Sequence, residues 1–493
     1  YLESLVHSYG EKLDQCEIDL RDIRTIKKYE IERLKDVKQK LIQEAKDRID
    51  ELNAIKDERV IKNLEQKING YIQGKYSTKK DQEKFEPLNF GSPNQMIELL
   101  FNSEHGFGFK VVKYTIDKKT KKETERPSTD EDVLTQLKPK DKTGFIELLL
   151  SHRELSKLYS TYILGVYEKL DSNSVIHSSF LLHGTVTGRL SSSNINFQNI
   201  PRSTTSADIK KMFIPRPGYL IFQADYSQAE LRVLAALANE ETMLGWFKAG
   251  RDIHLATACN KRNWDYDEKL KLLKDEEHPE HEDVVKERKK AKTTNFGIAY
   301  EQGPKALAEK MTEQGIPTTK EQAEKILNDW FKQFPKVKKY IEKQHRFVEK
   351  NGYVKSIWGR KRRLPDIDSN NYGKMLEAQR ASVNAPIQGA ASDYALFSSI
   401  LIREEKLKGN LPPDMAQLFT VHDSLGYEIK PEDIHRVVPI LKNICKDPDT
   451  QKWFGFKLEG VEMLIDVEIG LNWGELRKYN KDFDYTKMLK DTI

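Results

Sequence analysis

Cysteine is scarce: the 493-residue chain holds three, Cys16, Cys259 and Cys445. They stand far apart and form no CxxC pair, which argues against a disulfide framework or a structural zinc site and suits a reducing compartment. No apolar run approaches the roughly 18 residues that a membrane-spanning helix needs, so no membrane is expected among the partners. The stretch Tyr1 to Leu20 carries too many charges for a signal peptide. The pattern GxxxxGK[ST] is missing, which excludes a P-loop as the mode of phosphate binding. There is no repeat of 20–50 residues and no low-complexity tract. An excess of charge of one sign is missing too. Lys and Arg number 82 against 77 Asp and Glu, a net +5. Such a balance permits a nucleic-acid partner without requiring one, because a bipolar layout can conceal a basic groove. The chain opens on Tyr1 rather than Met, which suggests a fragment or processed product with a domain upstream.

What is present is enough for a large core. Hydrophobic residues make up 38% and charged residues 32%, a rather polar but foldable composition, and the length suits two to four domains. From Asp19 to Gly74 the apolar residues Ile31, Leu34, Val37, Leu41, Ala45, Ile49, Leu52 and Ile55 recur at steps of three and four. That period predicts long amphipathic helices, as a packed pair or a coiled-coil-like spacer. A polar stretch, Lys75 to Glu86, follows. Ser92-Pro93 reads as an N-cap with proline at the first helical position. Val111 to Arg126 reads as a hairpin or loop. Ser128 to Glu131 has the spacing of a capping box opening a short helix through Leu134. Ile146 to Leu170 is helical by pattern. After Asp171, strand-like runs appear at Phe180–His183, Tyr219–Ala224, Leu418–His422 and Met463–Ile469. The longest helical stretch among them lies between about Ala235 and Asn384. The pattern reads as a mixed α/β block. The acidic run Lys274 to Asp283 reads as a solvated loop.

Three clusters carry candidate chemistry. A largely apolar strand from Ile221 runs into Asp225, and a helical pattern (Leu231, Leu234, Ala235, Ala238) follows. A carboxylate at the end of a buried strand is well fixed for metal binding, and an Asp before a helix equally suits a cap. Thr420 to Ile429 reads as two short strands with Asp423 at the tip between them. Asp225 and Asp423 together could hold two Mg²⁺ ions. Such a pair, about 3.5–4 Å apart, activates an attacking oxygen and stabilises a leaving one. An Asp in a turn is also a common turn residue. In the third cluster Arg288, Lys292, Phe296 and Tyr300 are spaced by four and share one helical face. The fork of Arg and the point charge of Lys suit a triphosphate, and the aromatic rings offer stacking surface for a base.

These segments resemble the motifs of family A DNA polymerases, the bacterial polymerase I type. Asp225-Tyr226-Ser227-Gln228-Ala229-Glu230-Leu231-Arg232 is similar to the family's first polymerase motif. Arg288 to Tyr300 resembles its fingers helix, and Val421-His422-Asp423 its third motif. Thr187 to Ser192 with Gln198-Asn199-Ile200-Pro201, Asp252-Ile253-His254, and Arg380 with Asn384 to Gly389 agree as well. The six matches fall in order between about 180 and 430. Ser151 to Tyr162 is similar to the junction of the family's thumb and palm.

The resemblance implies an α+β, right-hand architecture with a helical thumb, an antiparallel-sheet palm and helical fingers: thumb and junction over 1–170, palm over 171–235 and 385–493, fingers over 236–384. It implies a template-directed polymerase that adds deoxynucleoside triphosphates to primer-template DNA and releases pyrophosphate. Asp225, Asp423 and the carbonyl of Tyr226 would hold two Mg²⁺ ions, with Mn²⁺ as a substitute. Arg288, Lys292 and His254 would hold the triphosphate, with Lys292 as proton donor to pyrophosphate. Phe296 would pack on the nucleotide, Tyr300 near the templating base, and Glu230 would exclude a ribose 2′-hydroxyl. Arg189, Arg380, Asn384, Gln388 and His422 would contact primer-template. A monomer is implied, in the cytoplasm or nucleoid of a bacterium or phage-infected cell, with an organelle left open. No nuclease-like Asp/Glu constellation precedes Asp171, so the chain as it stands is expected not to proofread.

Three positions depart from the pattern. Ser424 follows Asp423 where Glu is usual, Glu301 follows Tyr300 where Gly is usual, and Ala229 replaces a larger aliphatic residue. Ser424 leaves a catalytically silent DNA-binding subunit as the alternative from another class. A single-subunit RNA polymerase shares the palm logic, and Glu230 argues against it.

Overall fold

In the computed structural model, which describes residues 1–27, 29–30, 43, 88–117, 123–200, 207–446 and 458–490, the chain divides into two units, Tyr1–Asn173 and Ser174–Ile493. The first unit is mostly helical. Helix α1 (Leu2–Asp22) turns Leu5, Tyr9, Cys16 and Leu20 inward. Helix α2 (Pro93–Phe101) starts as its sequence prescribes: Ser92 caps the Gln95 amide and Pro93 occupies the first turn. A hairpin of β1 (Tyr114–Ile116) and β2 (Glu123–Pro127) follows. Helix α3 (Glu131–Leu137) then leads to α4 (Phe145–Lys157), which runs into a π-helical stretch, Leu158–Leu164. Leu20, Met96, Leu99, Leu134, Phe145 and Leu149 meet in one core. The capping box expected at Ser128–Glu131 does not form. Asp130 is the N-cap and makes no side-chain capping bond. Ser128 instead accepts from the Asp130 amide at 3.2 Å, a local turn that competes with the cap. The amphipathic period from Ile31 to Ile55, the polar stretch Lys75 to Glu86 and Pro201 lie outside the described residues.

The second unit opens with the small hairpin β3 (Ser179–Leu181) and β4 (Ser191–Ser193). Strand β5 (Leu220–Tyr226) leads into helix α5 (Ala229–Ala238). A helical block follows: α6 (Glu241–Lys248), α7 (Ile253–Arg262), α8 (Tyr266–Leu272), α9 (His281–Ala299), α10 (Pro304–Glu313), α11 (Lys320–Gln333) and α12 (Pro335–Asn351). Capping residues punctuate it: Asp252 and Asp265 begin α7 and α8, and Thr319 with Gln322 forms a full capping box on α11. The acidic run Lys274 to Asp283 is largely exposed, and its last residues open α9. A hairpin of β6 (Tyr353–Lys355) and β7 (Lys361–Arg363) precedes the 36-residue helix α13 (Tyr372–Leu407), which continues through Pro386. Then come β8 (Ala416–Val421), β9 (Ser424–Ile429), α14 (Ile434–Lys446), β10 (Ile465–Gly470) and β11 (Arg477–Lys478).

The architecture is α+β, with one five-stranded antiparallel sheet in the order β11-β10-β5-β9-β8. β5 is its middle strand. Strand alternation decides where β5 presents its side chains. Phe222, Ala224 and Tyr226 join the core. The Tyr226 hydroxyl lies 2.6 Å from Ser398 Oγ of α13 and donates to the Cys445 carbonyl of α14 at 3.2 Å. Gln223 and Asp225 face the other way. Trp473 donates to Gln223 at 2.7 Å and packs with Phe419 at 4.5 Å between ring centres, so aromatic rings cover that part of the face and leave its Asp225 end open. Gly426 on β9 permits this cover, since a Cβ there would lie 2.4 Å from the Phe419 ring. Among the described residues, no helix is long and apolar enough to cross a membrane, and all three cysteines are buried thiols.

Candidate functional site

Asp225 is the penultimate residue of β5 and is exposed. It does not cap α5, whose N-cap is Gln228 in a left-handed conformation without a side-chain bond. Asp423 sits in the two-residue connection His422-Asp423, because Val421 pairs directly with Ser424. His422 turns the chain there with φ +56, a region uncommon outside glycine. Gln198 clamps the turn. It accepts from the His422 amide at 2.7 Å and donates to the Thr420 carbonyl at 2.7 Å. The Tyr226 amide donates to the Asp423 carbonyl at 3.2 Å, which ties the hairpin tip to the end of β5.

A cavity of about 480 Å³ opens beside these two carboxylates. It is lined by Arg189, Asp225, Tyr226, Glu230, His254, Arg288, Lys292, Phe296, Tyr300, His422 and Asp423, together with Asp466 of β10. Eleven of the fourteen residues given a site role in the sequence are thus gathered in one place. The other three, Arg380, Asn384 and Gln388, do not line it. They lie one turn apart on α13, and Gln388 reaches the cavity only through a hydrogen bond to the Tyr300 side chain.

The cationic wall belongs to α9 and α7. Arg288 donates to Asp252 Oδ2 at 2.6 Å, while its buried Nε has no partner among the described residues. Burial raises the Asp252 carboxyl, but the bonds from Arg288 and the Leu255 amide outweigh it and leave the acid below its ordinary range. His254 is 3% exposed. Burial, helped by the charges of Arg288 and Lys292 and opposed by Asp252, brings its imidazole down to about 4. Asn295 Nδ2 donates to His254 Nδ1 at 3.1 Å, which leaves the ring's proton on Nε2. Trp330 holds that Asn by donating to its Oδ1 at 2.7 Å. The Phe296 ring lies 5.5 Å from the His254 ring.

Elsewhere in the cavity lining, Glu230 is 8% exposed in the first turn of α5. Arg189 donates to it, and Tyr300 donates to the same oxygen at 3.3 Å. Burial raises the Glu230 carboxyl. The attraction of Arg189 and the bond from Tyr300 offset this in part, and the negative charge of Asp423 adds to it. Ala229, nearly fully buried, also lines the cavity.

The donor set fits hard divalent cations. Asp225 and Asp423 offer oxygen ligands at one end of the cavity, and the cations of α9 stand ready for phosphate oxygens. Among the described residues, no three His, Cys, Asp or Glu side chains already form a metal cage.

Sequence reasoning missed several parts of this arrangement. Gln198 and Asn295 stood inside the quoted motifs without a role, and Trp330 was not singled out; all three act through contacts far apart in the chain. Asp466 carried a weak signal, an acid between Ile465 and Val467 in a strand-like run. Only the sheet register places it opposite Asp225.

Comparison with known proteins agrees with the geometry. The family model for DNA polymerase family A matches residues 57–475. The DNA polymerase of Bacillus phage SP01 is 32% identical over 427 residues, covering 82% of this chain and 43% of that protein. DNA polymerase I of Caldicellulosiruptor bescii is 33% identical over 395 residues, covering 80% and 41%. DNA polymerase I of Geobacillus stearothermophilus is 34% identical over 396 residues, covering 79% and 40%. The chain therefore spans about two fifths of the length of these relatives. Among solved structures, the polymerase domain of Pol1 from M. smegmatis, in complex with DNA primer-template and dNTP, shares the fold. Its TM-score is 0.63 at 24% identity, over 93% of this chain and 70% of that one.

Proposed function

The chain belongs to DNA polymerase family A, and from that premise we propose that it extends a DNA primer by adding deoxynucleotides matched to a template strand, releasing pyrophosphate. The observation that carries the reading is the cavity in which two carboxylates from neighbouring strands face a wall of Arg288, Lys292 and His254. In this reading Ser174–Ile493 contains palm and fingers, with the sheet as the palm's floor, the fingers taken as residues 236–384 and their end inside α13. Tyr1–Asn173 contains the thumb.

Asp225, Asp423 and the Tyr226 carbonyl would hold the divalent ions, Mg²⁺ by preference and Mn²⁺ as a substitute. When bound, two such ions activate the primer's 3′ oxygen and neutralise charge on the leaving phosphates. The chain's own groups do the rest. Arg288 offers its guanidinium to the triphosphate, and Lys292, one turn further along α9, adds a point charge and donates a proton to the leaving pyrophosphate. His254 stays neutral near pH 7 and donates through Nε2, so it binds phosphate as a hydrogen-bond donor. Phe296 packs on the incoming nucleotide. Tyr300 lies beside the templating base. Glu230, held by Arg189 and Tyr300, fills the space a ribose 2′-hydroxyl would need. Arg189, Arg380, Asn384, Gln388 and His422 contact primer and template through backbone and minor-groove atoms. Such contacts accept every sequence because the minor groove presents a nearly uniform set of acceptors. The protein works as a monomer, in the cytoplasm or nucleoid.

The test is single-nucleotide addition on four primer-templates that differ only in the templating base, with pyrophosphate measured alongside. The reading expects one nucleotide, the complementary one, to be added in each case with one pyrophosphate released. Tight binding of primer-template without addition would favour a silent DNA-binding subunit.

A further inference from the structure

Position 424 poses a chemical question. The motif that ends in Asp423 usually continues with Glu, and here it continues with Ser. Ser424 is 5% exposed, and its Oγ has no partner among the described residues. It brings neither charge nor a carboxylate oxygen to the metal-binding end of the sheet.

The register of the sheet supplies a carboxylate from the other side. Asp225 pairs directly with Ser424 on β9 and with Asp466 on β10. Directly opposed residues of antiparallel strands send their side chains to the same face, with Cβ atoms about 4.5–5.5 Å apart. Asp225 is thus flanked by Ser424 on one side and Asp466 on the other. Alternation along β10 buries Ile465 and Val467 and leaves Asp466 exposed. Its side chain lines the cavity that Asp225 and Asp423 line.

Charge sharpens the point. The carboxylate of Asp466 makes no ion pair with any described cation. Its charge is felt by Arg232. That guanidinium is already engaged, donating to the Ser227 carbonyl at 2.9 Å and the Glu462 carbonyl at 2.8 Å and lying over the Phe247 ring. An acid beside Asp225 and Asp423 repels them unless a cation stands between.

We propose that Asp466 is the accessory carboxylate of the metal-binding face, placed on β10 instead of following Asp423 on β9. It acts as a positioning residue, through water or through its charge, on ions that Asp225 and Asp423 hold. The proposal rests on the metal-dependent reading above.

The experiment is Mn²⁺ titration of the chain followed by electron paramagnetic resonance. The sample holds a chain-terminated primer-template and the matching deoxynucleotide, so that binding is read without turnover. Asp466→Asn and Asp466→Ser are both expected to weaken Mn²⁺ binding about 10- to 100-fold, the range for an outer-sphere partner. Both should keep the wild-type unfolding midpoint, because the side chain is exposed. Asp466→Glu, and Ser424→Glu added to Asp466→Asn, should restore affinity. Wild-type affinity in Asp466→Asn and Asp466→Ser, with affinity lost in Asp225→Ala, would overturn the role of Asp466 alone. Equal Mn²⁺ binding by wild type and Asp225→Ala would overturn the metal assignment itself, and the proposal with it.

Discussion

Arg189 and Glu230 form an ion pair that closes one wall of the cavity, and Tyr300 donates to the same Glu230 oxygen. The pair bridges the β3–β4 hairpin region and the first turn of α5, so it fixes the acid in one rotamer. Glu230→Ala would leave a half-buried guanidinium without its partner, at a cost of about 1–3 kcal/mol. It would also open the space beside the sugar. Ribonucleotide addition relative to deoxynucleotide addition is expected to rise by at least about tenfold, read from competing incorporation at one template position.

His254 sets a pH signature. Its pKa lies at about 4 in the folded chain and near 6.5 in an unfolded one. Between these values the unfolded state binds a proton that the folded state does not. Stability from the neutral ring is therefore fully present above pH 6.5 and falls on acidification, by about 1.4 kcal/mol per pH unit, until pH 4. His254→Gln should flatten denaturation midpoints across that window. The depressed Asp252 carboxyl contributes below it, where the unfolded acid begins to protonate.

Glu301 adopts φ +51, and its carboxylate meets His345 Nε2 at 2.9 Å. The backbone there keeps the shape that suits glycine, while the side chain adds a hydrogen-bonded pair with α12. Glu301→Ala loses the pair and keeps the strain. Glu301→Gly loses the pair and relieves the strain. The alanine variant should be less stable than the glycine variant by about 1 kcal/mol, measured by chemical denaturation.

Arg288 lines the cavity and is already fixed by Asp252, which accepts from its guanidinium at 2.6 Å. Asp252→Ala would leave the guanidinium charged but unheld. The expected result is a rise in KM for the deoxynucleotide of about tenfold, the loss of one charge-assisted bond's worth of orientation. The reaction's metal dependence should stay unchanged.

Much of this site could be read in the sequence because its parts are local. The four-residue spacing from Arg288 to Tyr300 needs only a helix to become a face. The run ending in Asp225 needs only a strand, and the His422-Asp423 tip only a hairpin. The strand runs were found within a few residues of their true ends for the same reason: alternation and turn residues are nearest-neighbour signals. What stayed hidden depends on register and long-range contact. Nothing in the order of residues says that Asp466 stands opposite Asp225, that Gln198 clamps a turn more than 200 residues later, or that Trp330 orients Asn295 against His254. The failed capping box at Ser128 shows the limit in miniature. Its spacing was right, but a local turn bond took the serine first.

The most direct measurement is primer extension with Mg²⁺ and the four deoxynucleotides by the wild-type chain, Asp225→Ala and Asp423→Ala. The account predicts extension by wild type and a loss of at least about a thousandfold in each variant, the effect of removing several kcal/mol of transition-state stabilisation. Primer-template binding should be retained. Extension at the wild-type rate by either variant would contradict the two-carboxylate site.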